Sequence, residues 1–346
     1  MKRSSAVSLA LVLLLAFSLL GGCTQVSDDP APITSPDASP VTSPDSTSEA
    51  TPETTPEATD TPEPSDVTPL LWLVTAPDGQ IMYLFGSIHA ADEALYPLPA
   101  YITDAFDLCD ALAVEIDMLA FAEDYDAMTS FSLSIMYPEG ETLEDEIGAE
   151  LVSRLVETLT GLGYMVNADL LNGYKPFYWT SFMSNIVAEM AGMWSEIGLD
   201  MVFLEEAVAR GMQILEVESI EEQLAMSLGF SPPLQAYMVA EALDVEAGVR
   251  VLEELYEMWK RGDEQELEAY LFAEADELPD GLTEEHLIEY WDAMNVQRNL
   301  KMAEAAERYM AEGKTVFYVV GLMHMLGEDG LVELLRQSGY SVERVL

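Results

Sequence analysis

The feature that most constrains this fold is a short pattern that occurs twice, once near each end of the chain. In each copy an apolar run of strand type leads into a glycine, two further residues and a histidine, giving YLFGSIHA and YVVGLMHM. The chain of 346 residues contains only three histidines, and His89 and His324 are the two that close these copies. The preceding glycines, Gly86 and Gly321, would allow the backbone to turn sharply and to approach other groups closely. Any fold must therefore account for two matching strand ends that lie far apart in sequence.

The secondary-structure patterns around the two copies follow the same order. The strand pattern LLWLV is joined to IMYLF by the turn residues PDG, which predicts a hairpin. After the first histidine we predict a helix over residues 97–109 and a buried strand over 111–116. The second copy follows a strand at 315–320 and precedes an amphipathic helix, closed by Gly339, and the final strand YSVERV. The repeat is either an internal duplication or a convergence of two short segments on one type of turn.

The chain between the two copies is mostly of helical type. Apolar residues recur at three- and four-residue intervals over residues 144–162 and 199–211, and longer amphipathic patterns cover 234–261 and 283–312. One further buried strand is predicted at residues 212–217. We therefore predict an α/β fold in which a mixed central β-sheet is built from two related strand–GxxH–helix–strand units, with a large helical insertion between them.

The N-terminus has the features of a bacterial lipoprotein signal. Lys2 and Arg3 precede an apolar run over residues 6–20 that is too short for a comfortable membrane span. The run ends in LLGGC, so we predict that residues 1–23 are a signal peptide and that Cys23 is lipidated. Two lipid chains on this cysteine would suffice for stable anchoring at the extracytoplasmic face of the cell membrane. An ordinary cleaved signal followed by a chance cysteine is the alternative.

The composition changes after this segment. Residues 24–67 are almost entirely Ser, Thr, Pro, Asp and Glu, which predicts a disordered tether. Residues 68–346 mix apolar and polar side chains and are numerous enough for one large domain, without a further apolar run long enough to cross a bilayer. The formal net charge of −49 disfavours nucleic acid and anionic lipid as partners, because both would be repelled. We expect membrane contact only through the lipid anchor, and the oligomeric state is left open.

The cysteine content excludes a disulfide framework. If Cys23 carries lipid, Cys109 is the single cysteine that remains. Its apolar helical setting, without a basic residue nearby in sequence, predicts a buried and inert thiol rather than a nucleophile.

Four side chains are predicted at, or just past, the C-terminal ends of strands: His89, Glu115, Glu218 and His324. In open α/β sheets, ligands gather beyond the carboxyl ends of the strands. Two imidazoles and two carboxylates meeting there would form a site for one divalent ion or for two. Each histidine taken alone is more often a hydrogen-bonded structural residue, and Glu218 is also compatible with the start of a helix. Glu115 stands out, because a carboxylate in an apolar strand is costly unless it is paired or bound to metal.

Two further segments are candidates for the same site. Arg298 and Asn299, in VQRNLKMAE, lie on a helix predicted to run toward the second unit. A salt bridge from Arg298 to a surface acid and a role in holding Glu115, Glu218 or a substrate are both compatible with this position. The aromatic segment YKPFYW would either wall a substrate cleft or pack in the core, and core packing is favoured.

Taken together, these segments resemble the TraB/GumN family, whose eukaryotic relatives include the TIKI proteases. The resemblance covers residues 71–346 and runs in order through the first GxxH unit with YPLP, LAVEID, KPF, GLDMVFLEEAVARG, VESIEEQL, WKRGD, QRN and VVGLMHMLGEDGLVELLRQSGYSVERV. Phe177 stands where the family usually has tryptophan, which leaves the histidines and acids untouched but could alter the cleft.

The resemblance implies a fold similar to the erythromycin-esterase and ChaN group, with GxxH histidines and acidic residues around a divalent metal. Carried over to this chain, it implies metal-site histidines and acids, and a matching Arg-Asn pair, at His89, His324, Glu115, Glu218, Arg298 and Asn299. For the TIKI branch it implies metal-dependent hydrolysis of peptide bonds, with manganese or cobalt favoured and zinc as an alternative.

Three functional hypotheses follow. The first is an extracytoplasmic, membrane-anchored, metal-dependent hydrolase of a peptide or protein, with one glutamate as a metal ligand and the other as general base. Arg298 or Asn299 would steady the developing oxyanion or orient a ligand carboxylate. The alternative is a surface protein that binds a peptide pheromone or a haem-like ligand without turnover. A degenerate scaffold is disfavoured, because every matched motif position is filled.

Overall fold

The computed structural model describes residues 67–273, 278 and 280–346. The predicted signal peptide with Cys23 and nearly all of the predicted tether therefore lie outside the described residues, and both stay predictions. Among the helices that are described, none combines the length and the apolar character needed to span a bilayer.

The described residues form a six-stranded mixed sheet, which confirms the predicted α/β class. The strands are β1 (Leu71–Thr75), β2 (Ile81–Ser87), β3 (Ala111–Val114), β4 (Gln213–Glu216), β5 (Val316–Gly321) and β6 (Ser341–Arg344). Their order across the sheet is β4-β3-β5-β2-β1-β6. The pairs β2–β5, β3–β5 and β3–β4 are parallel, whereas β1 runs antiparallel to both β2 and β6. All strands except β1 therefore point the same way, and their carboxyl ends share one edge.

The two strands that lead into the repeated pattern are direct neighbours in this sheet. In the β2–β5 register, Gly86 lies opposite Val320, and Ser87 lies opposite Gly321. The parallel pairing brings together segments from the two ends of the domain, as the matching strand ends predicted. The hairpin of β1 and β2 is also present, with Leu71 opposite Phe85.

The helices lie between and around these strands. They are α1 (Ala100–Asp107), α2 (Met118–Glu123), α3 (Tyr125–Ser134), α4 (Leu143–Ile147), α5 (Ala149–Gly161), α6 (Ala168–Asn172), α7 (Pro176–Met190), α8 (Leu199–Arg210), α9 (Ile220–Leu228), α10 (Pro232–Ala242), α11 (Val245–Arg261), α12 (Glu264–Leu271), α13 (Glu284–Trp291), α14 (Gln297–Ala311), α15 (Leu322–Met325) and α16 (Leu331–Gln337). A π-helical turn, Asp292–Val296, joins α13 to α14 without a break. The large helical insertion is thus present.

Two details of the predicted elements were wrong. The single helix expected over residues 144–162 is divided into α4 and α5 by Gly148, whose φ of +85° lies in the left-handed region that favours glycine. The strand expected to be buried at 212–217 is instead the outermost strand, β4, and its residues Gln213 and Glu216 are exposed. Because β4 stands at the end of the sheet order, one of its edges is not paired with another strand of the described sheet.

An aromatic cluster fixes the helices α1 and α8 against the neighbouring strands β2 and β5. Phe85 and Phe317 on the strands contact Phe106 of α1 and Phe203 of α8, with ring centroids 4.8 to 5.8 Å apart. All four rings are buried, and such pairs contribute about 0.5–1.5 kcal/mol each beyond their buried area. The cluster therefore gives the two strand ends a rigid support.

Two predictions about individual segments are confirmed. Cys109 is buried and its Sγ donates to the carbonyl of Ala105, and burial raises the pKa of the thiol to about 12. In the segment YKPFYW, Phe177 and Trp179 are buried in the core at the start of α7. Tyr174 belongs to the same segment and is only half-buried.

Candidate active site

The four side chains predicted at strand ends all lie at the carboxyl edge of the sheet. His89 is two residues past β2, and His324 lies in the short helix α15 that begins directly after β5. Glu115 is the first residue after β3, and Glu218 follows β4 by two residues. Because β2, β5, β3 and β4 are parallel neighbours, this edge collects residues from four distant parts of the chain.

Glu115 lies at the centre of the contacts. Its Oε2 accepts hydrogen bonds from Arg298 Nη2 at 2.6 Å and from Gln223 Nε2 at 3.1 Å. Its Oε1 accepts from the backbone N–H of Gly321 at 2.8 Å and lies 4.0 Å from His324 Nε2. Burial by itself raises the pKa of this carboxyl, but Arg298, His89 and the hydrogen bond from the Gly321 N–H outweigh burial and hold the pKa well below its ordinary value. Glu115 is therefore a fixed, ionised carboxylate.

Glu218 is engaged by the same arginine through both of its oxygens. Arg298 Nε lies 3.0 and 2.9 Å from the two carboxylate oxygens, and Arg298 Nη2 is 2.7 Å from Oε2. Gln223 Nε2 donates to Oε2 at 3.0 Å. The Glu218 side chain is only 3% exposed, and that of Arg298 is 8% exposed. The guanidinium therefore occupies the space between Glu115 and Glu218 and neutralises one charge of the pair.

His89 is oriented by a carboxylate from helix α8. Its Nδ1 lies 2.9 Å from Asp200 Oδ2, and the other oxygen of Asp200 accepts from the hydroxyl of Ser87 at 2.8 Å. An ionised carboxylate only accepts, so Nδ1 carries the proton and the ring directs Nε2 elsewhere. Burial lowers the pKa of His89, but Asp200 and Glu115 together outweigh burial and raise the pKa to about 9.

His324 is oriented in the same way by a neutral side chain from helix α14. Its Nδ1 is 2.6 Å from Asn299 Oδ1, and Asn299 Nδ2 donates to the carbonyl of Asp329 at 2.8 Å. The second bond fixes the amide so that its oxygen faces the ring, and Nδ1 therefore carries the proton. Burial and Arg298 lower the pKa of His324 to about 3, so this imidazole is neutral. Its Nε2 faces Glu115.

The two glycines before the histidines allow close approach rather than a left-handed turn. Neither is among the glycines with φ in the left-handed region. A Cβ on Gly321 would lie 3.4 Å from both Glu115 Oε1 and His89 Nε2. A Cβ on Gly86 would lie 2.8 Å from Cδ1 and 3.3 Å from Cα of Leu322. Gly321 thus leaves space inside the site, whereas Gly86 lets β2 pack against α15.

A divalent ion fits part of the predicted ligand set. Among the described residues, no three His, Cys, Asp or Glu side chains are arranged as a formed metal site. Glu218 directs both oxygens to Arg298, so the set of two histidines and two glutamates does not converge as the sequence analysis expected. The donor chemistry of His89, His324 and Glu115 does suit a divalent ion. Each imidazole is anchored through Nδ1, which leaves its Nε2 for a ligand, and Glu115 Oε1 accepts one hydrogen bond, from the N–H of Gly321, which leaves a lone pair on that oxygen.

A small crevice opens beside His89. Its volume is about 20 Å³, enough for one water molecule. Apart from His89 and Ser87, its lining is apolar or glycine and comes from both GxxH units and from α11 and α12, through Ile88, Leu255, Leu271, Gly321, Leu322 and Met323. The crevice therefore lies between the two GxxH units, on the side of the site where His89 is partly exposed.

Three residues of this arrangement were not singled out from the sequence. Asp200 is an acid in the first turn of α8, where acids are common because they favour the helix dipole. Gln223 lies in VESIEEQL, a segment in which only the acidic residues at the start of the helix were considered for the site. Ser87 lies inside the first GxxH pattern. The only signal for any of them was their presence in segments that resembled the family.

Comparison with known proteins matches the sequence of the described domain to one family. A sequence model described as the TraB/PrgY/gumN family matches residues 70–344. The uncharacterized protein YbaP of Escherichia coli K12 is 25% identical over 263 residues, which cover 76% of this chain and 90% of YbaP. Metalloprotease TIKI2 of Danio rerio is 26% identical over 326 residues, covering 80% of this chain and 61% of that protein.

Metalloprotease TIKI1 of Danio rerio is 25% identical over 327 residues, covering 82% of this chain and 64% of that protein. No solved structure matches the chain. The family match spans the whole sheet and every residue of the candidate site, from β1 to β6. This chain belongs to the TraB/PrgY/gumN family.

Proposed function

We propose that this protein is a metal-dependent hydrolase of peptide bonds, held at the extracytoplasmic face of the membrane by lipid on Cys23. One observation carries the proposal: two imidazoles from opposite ends of the domain, each held through Nδ1, lie with one ionised carboxylate at the edge of the sheet. The similarity to proteins named metalloproteases supports the same activity.

The residues that would hold the ion are His89 and His324 through Nε2 and Glu115 through Oε1. A bound divalent ion polarises a scissile carbonyl and lowers the pKa of a water molecule, and manganese or cobalt is the favoured ion, with zinc as an alternative. The remaining polar residues keep these donors in place. Asp200 holds His89, and Asn299 holds His324, so neither imidazole has to reorient when a substrate arrives.

The roles of the other predicted catalytic residues follow from their contacts. Glu218 is buried and bound at both oxygens by Arg298, so we assign it to holding the arginine rather than to accepting a proton. Arg298 in turn holds Oε2 of Glu115, which leaves Oε1 directed at the histidines. Glu218, Arg298 and Asn299 are thus positioning residues in this proposal, and Glu115 is the carboxylate that touches the reacting groups.

The crevice beside His89 gives the substrate an apolar contact next to the reacting groups. Its lining by Leu255, Leu322 and Met323 makes that side of His89 apolar. A peptide is expected to run over the partly exposed His89, whose side chain is 24% exposed, whereas that of His324 is 7% exposed. We therefore expect substrate to enter from the His89 side.

The test is hydrolysis of a defined peptide library by the full-length chain in detergent. The protein is stripped with chelator, reloaded with manganese, cobalt or zinc, and cleavage is followed by mass spectrometry. We expect cleavage only after reloading, and none from the double variant His89→Ala/His324→Ala. The third histidine, His286, closes a capping box on α13, and His286→Ala is the matched control. Equal cleavage by the double variant and the control would overturn the proposal.

A second candidate function is capture of a peptide without turnover. The observation in its favour is that both carboxylates are already engaged by Arg298 and that the crevice admits only a water-sized group. The small crevice disfavours a haem-like ligand, which needs room for a flat macrocycle. Retention of an intact library peptide for hours in the presence of metal would favour this second function over hydrolysis.

A further inference from the structure

We infer that Arg298 is the fixed second cation of this site, so that the site takes a single divalent ion, with Glu115 as a ligand and Glu218 excluded from the ligand set. The inference rests on the proposed metal dependence and goes beyond it, because the sequence left open whether one ion or two are bound.

The contacts of the two glutamates carry the first step. Glu115 and Glu218 both accept from the same arginine and from the same Nε2 of Gln223. In two-metal hydrolase sites, carboxylates flank a pair of ions about 3.5–4 Å apart. Here the position between the two carboxylates is filled by a guanidinium, whose planar donors match both partners.

Burial carries the second step. The side chains of Arg298 and Glu218 are 8% and 3% exposed, and three short Arg298–Glu218 contacts join them. Turning Glu218 toward an ion would leave the arginine with one partner in a buried setting, which is strongly unfavourable. Glu115 differs, because Arg298 and Gln223 hold only its Oε2. Its Oε1 accepts a single hydrogen bond, from the N–H of Gly321, and lies 4.0 Å from His324 Nε2.

The first experiment counts the ions. The full-length chain in detergent is stripped with chelator, loaded with manganese and freed of excess metal by gel filtration, and manganese per chain is measured by elemental analysis. We expect one ion per chain. Two ions per chain would overturn this inference and leave the proposed function standing, whereas none would overturn both.

Two glutamate variants then separate ligand from counter-ion. Glu115→Gln should fail to retain manganese after gel filtration. Glu218→Gln should still retain one ion, with affinity about tenfold to a hundredfold weaker because the residues around Glu115 lose order. Glu221→Gln, in the exposed first turn of α9, is the matched control. Loss of the ion from Glu218→Gln as complete as from Glu115→Gln, in folded protein, would overturn the inference.

Removal of the arginine should increase the number of manganese ions bound per chain, whereas the glutamate variants should weaken or abolish binding. Arg298→Met leaves two carboxylates without their cation, so we expect manganese per chain to rise from one to two. Arg250→Met, at an exposed position of α11, should stay at one. Circular dichroism establishes which variants are folded. Folded Arg298→Met protein that still holds one ion would overturn the assignment of Arg298, and the glutamate pair decides the question if this variant does not fold.

Discussion

The two GxxH units end in the same local pattern but hold their histidines in different surroundings. His89 is partly exposed and its Nδ1 faces a carboxylate, Asp200, whereas His324 is buried and its Nδ1 faces an amide, Asn299. The pKa is raised for His89 by the carboxylate and lowered for His324 by burial and Arg298. The repeated pattern thus fixes where each histidine lies, and residues from distant helices fix what each can do.

The glycines of the two units also differ in what surrounds them. Gly86 is required by packing, because Leu322 of the second unit lies against the position of a Cβ. At Gly321 a Cβ would lie 3.4 Å from Glu115 Oε1 and from His89 Nε2, so it would take up space inside the site. Each glycine therefore leaves space for a side chain of the other unit.

The largest effect is expected from removing either histidine. His89→Ala and His324→Ala should each lower hydrolysis by about a thousandfold or more, since metal-assisted polarisation supplies several kcal/mol and each 1.36 kcal/mol is a factor of ten. His286→Ala should stay near the wild-type rate. Peptide cleavage after manganese loading is the measurement. Full activity in one of the two single variants would show that the units do not share one site.

The next effect is expected from the residues that orient the histidines. Asp200→Ala and Asn299→Ala should weaken manganese binding by about tenfold to a hundredfold each, because both remove the partner of a ligand Nδ1. Asp200→Asn keeps an acceptor for Nδ1 and should recover part of the loss. Isothermal titration with manganese gives the affinities. Equal loss in Asp200→Ala and Asp200→Asn would show that the charge, and not the orientation of His89, matters.

Alanine at each of the two glycines tests whether Gly86 serves packing and Gly321 serves the site. Gly86→Ala should lower the free energy of unfolding by about 1–3 kcal/mol, because the new Cβ overpacks against Leu322. Gly321 has a φ of −50°, which alanine adopts freely. Gly321→Ala should therefore change the free energy of unfolding less than Gly86→Ala does, while it weakens manganese binding. Urea denaturation and metal titration separate the two outcomes. A stability loss in Gly321→Ala that matches Gly86→Ala would break the contrast.

The smallest effect is expected where helix α11 supports the first unit. The hydroxyl of Tyr256 donates to Asp92, three residues beyond His89, at 3.1 Å. Tyr256→Phe removes that bond and should lower the free energy of unfolding by about 0.5–1.5 kcal/mol. Hydrolysis should stay within about twofold of wild type, since the contacts of His89 are unchanged. A large loss of activity without a loss of stability would mean that α11 positions His89 directly.

The sequence predicted the strand ends well because glycine, histidine and apolar strand runs are local signals. It placed His89, Glu115 and His324 at one edge of an α/β sheet, and the structure brings them there. It left open whether Arg298 pairs with a surface acid or holds Glu115 and Glu218, and the structure shows that Arg298 holds both glutamates. The sequence could not decide between the two, because the approach of α14 to that edge depends on packing through the whole helical insertion.

Other features escaped the sequence for local reasons. Gly148 interrupts a periodic apolar pattern that is otherwise continuous, so the break between α4 and α5 rests on a single residue. The apolar run of β4 is typical of a buried strand, but its place at the end of the sheet depends on which strands pair. Asp200 is an acid in the first turn of a helix, which is a common position for acids, so nothing in the local sequence indicated its hydrogen bond to His89.

The central claim is that one imidazole from each end of the domain binds the same ion. Pulsed electron paramagnetic resonance of manganese-loaded protein tests it most directly, because only three histidines contribute imidazole nitrogens. We predict coupling to two imidazole nitrogens, one lost in His89→Ala, the other lost in His324→Ala, and both kept in His286→Ala. Manganese that shows no imidazole coupling, or a coupling that only one of the two GxxH variants removes, would contradict the account.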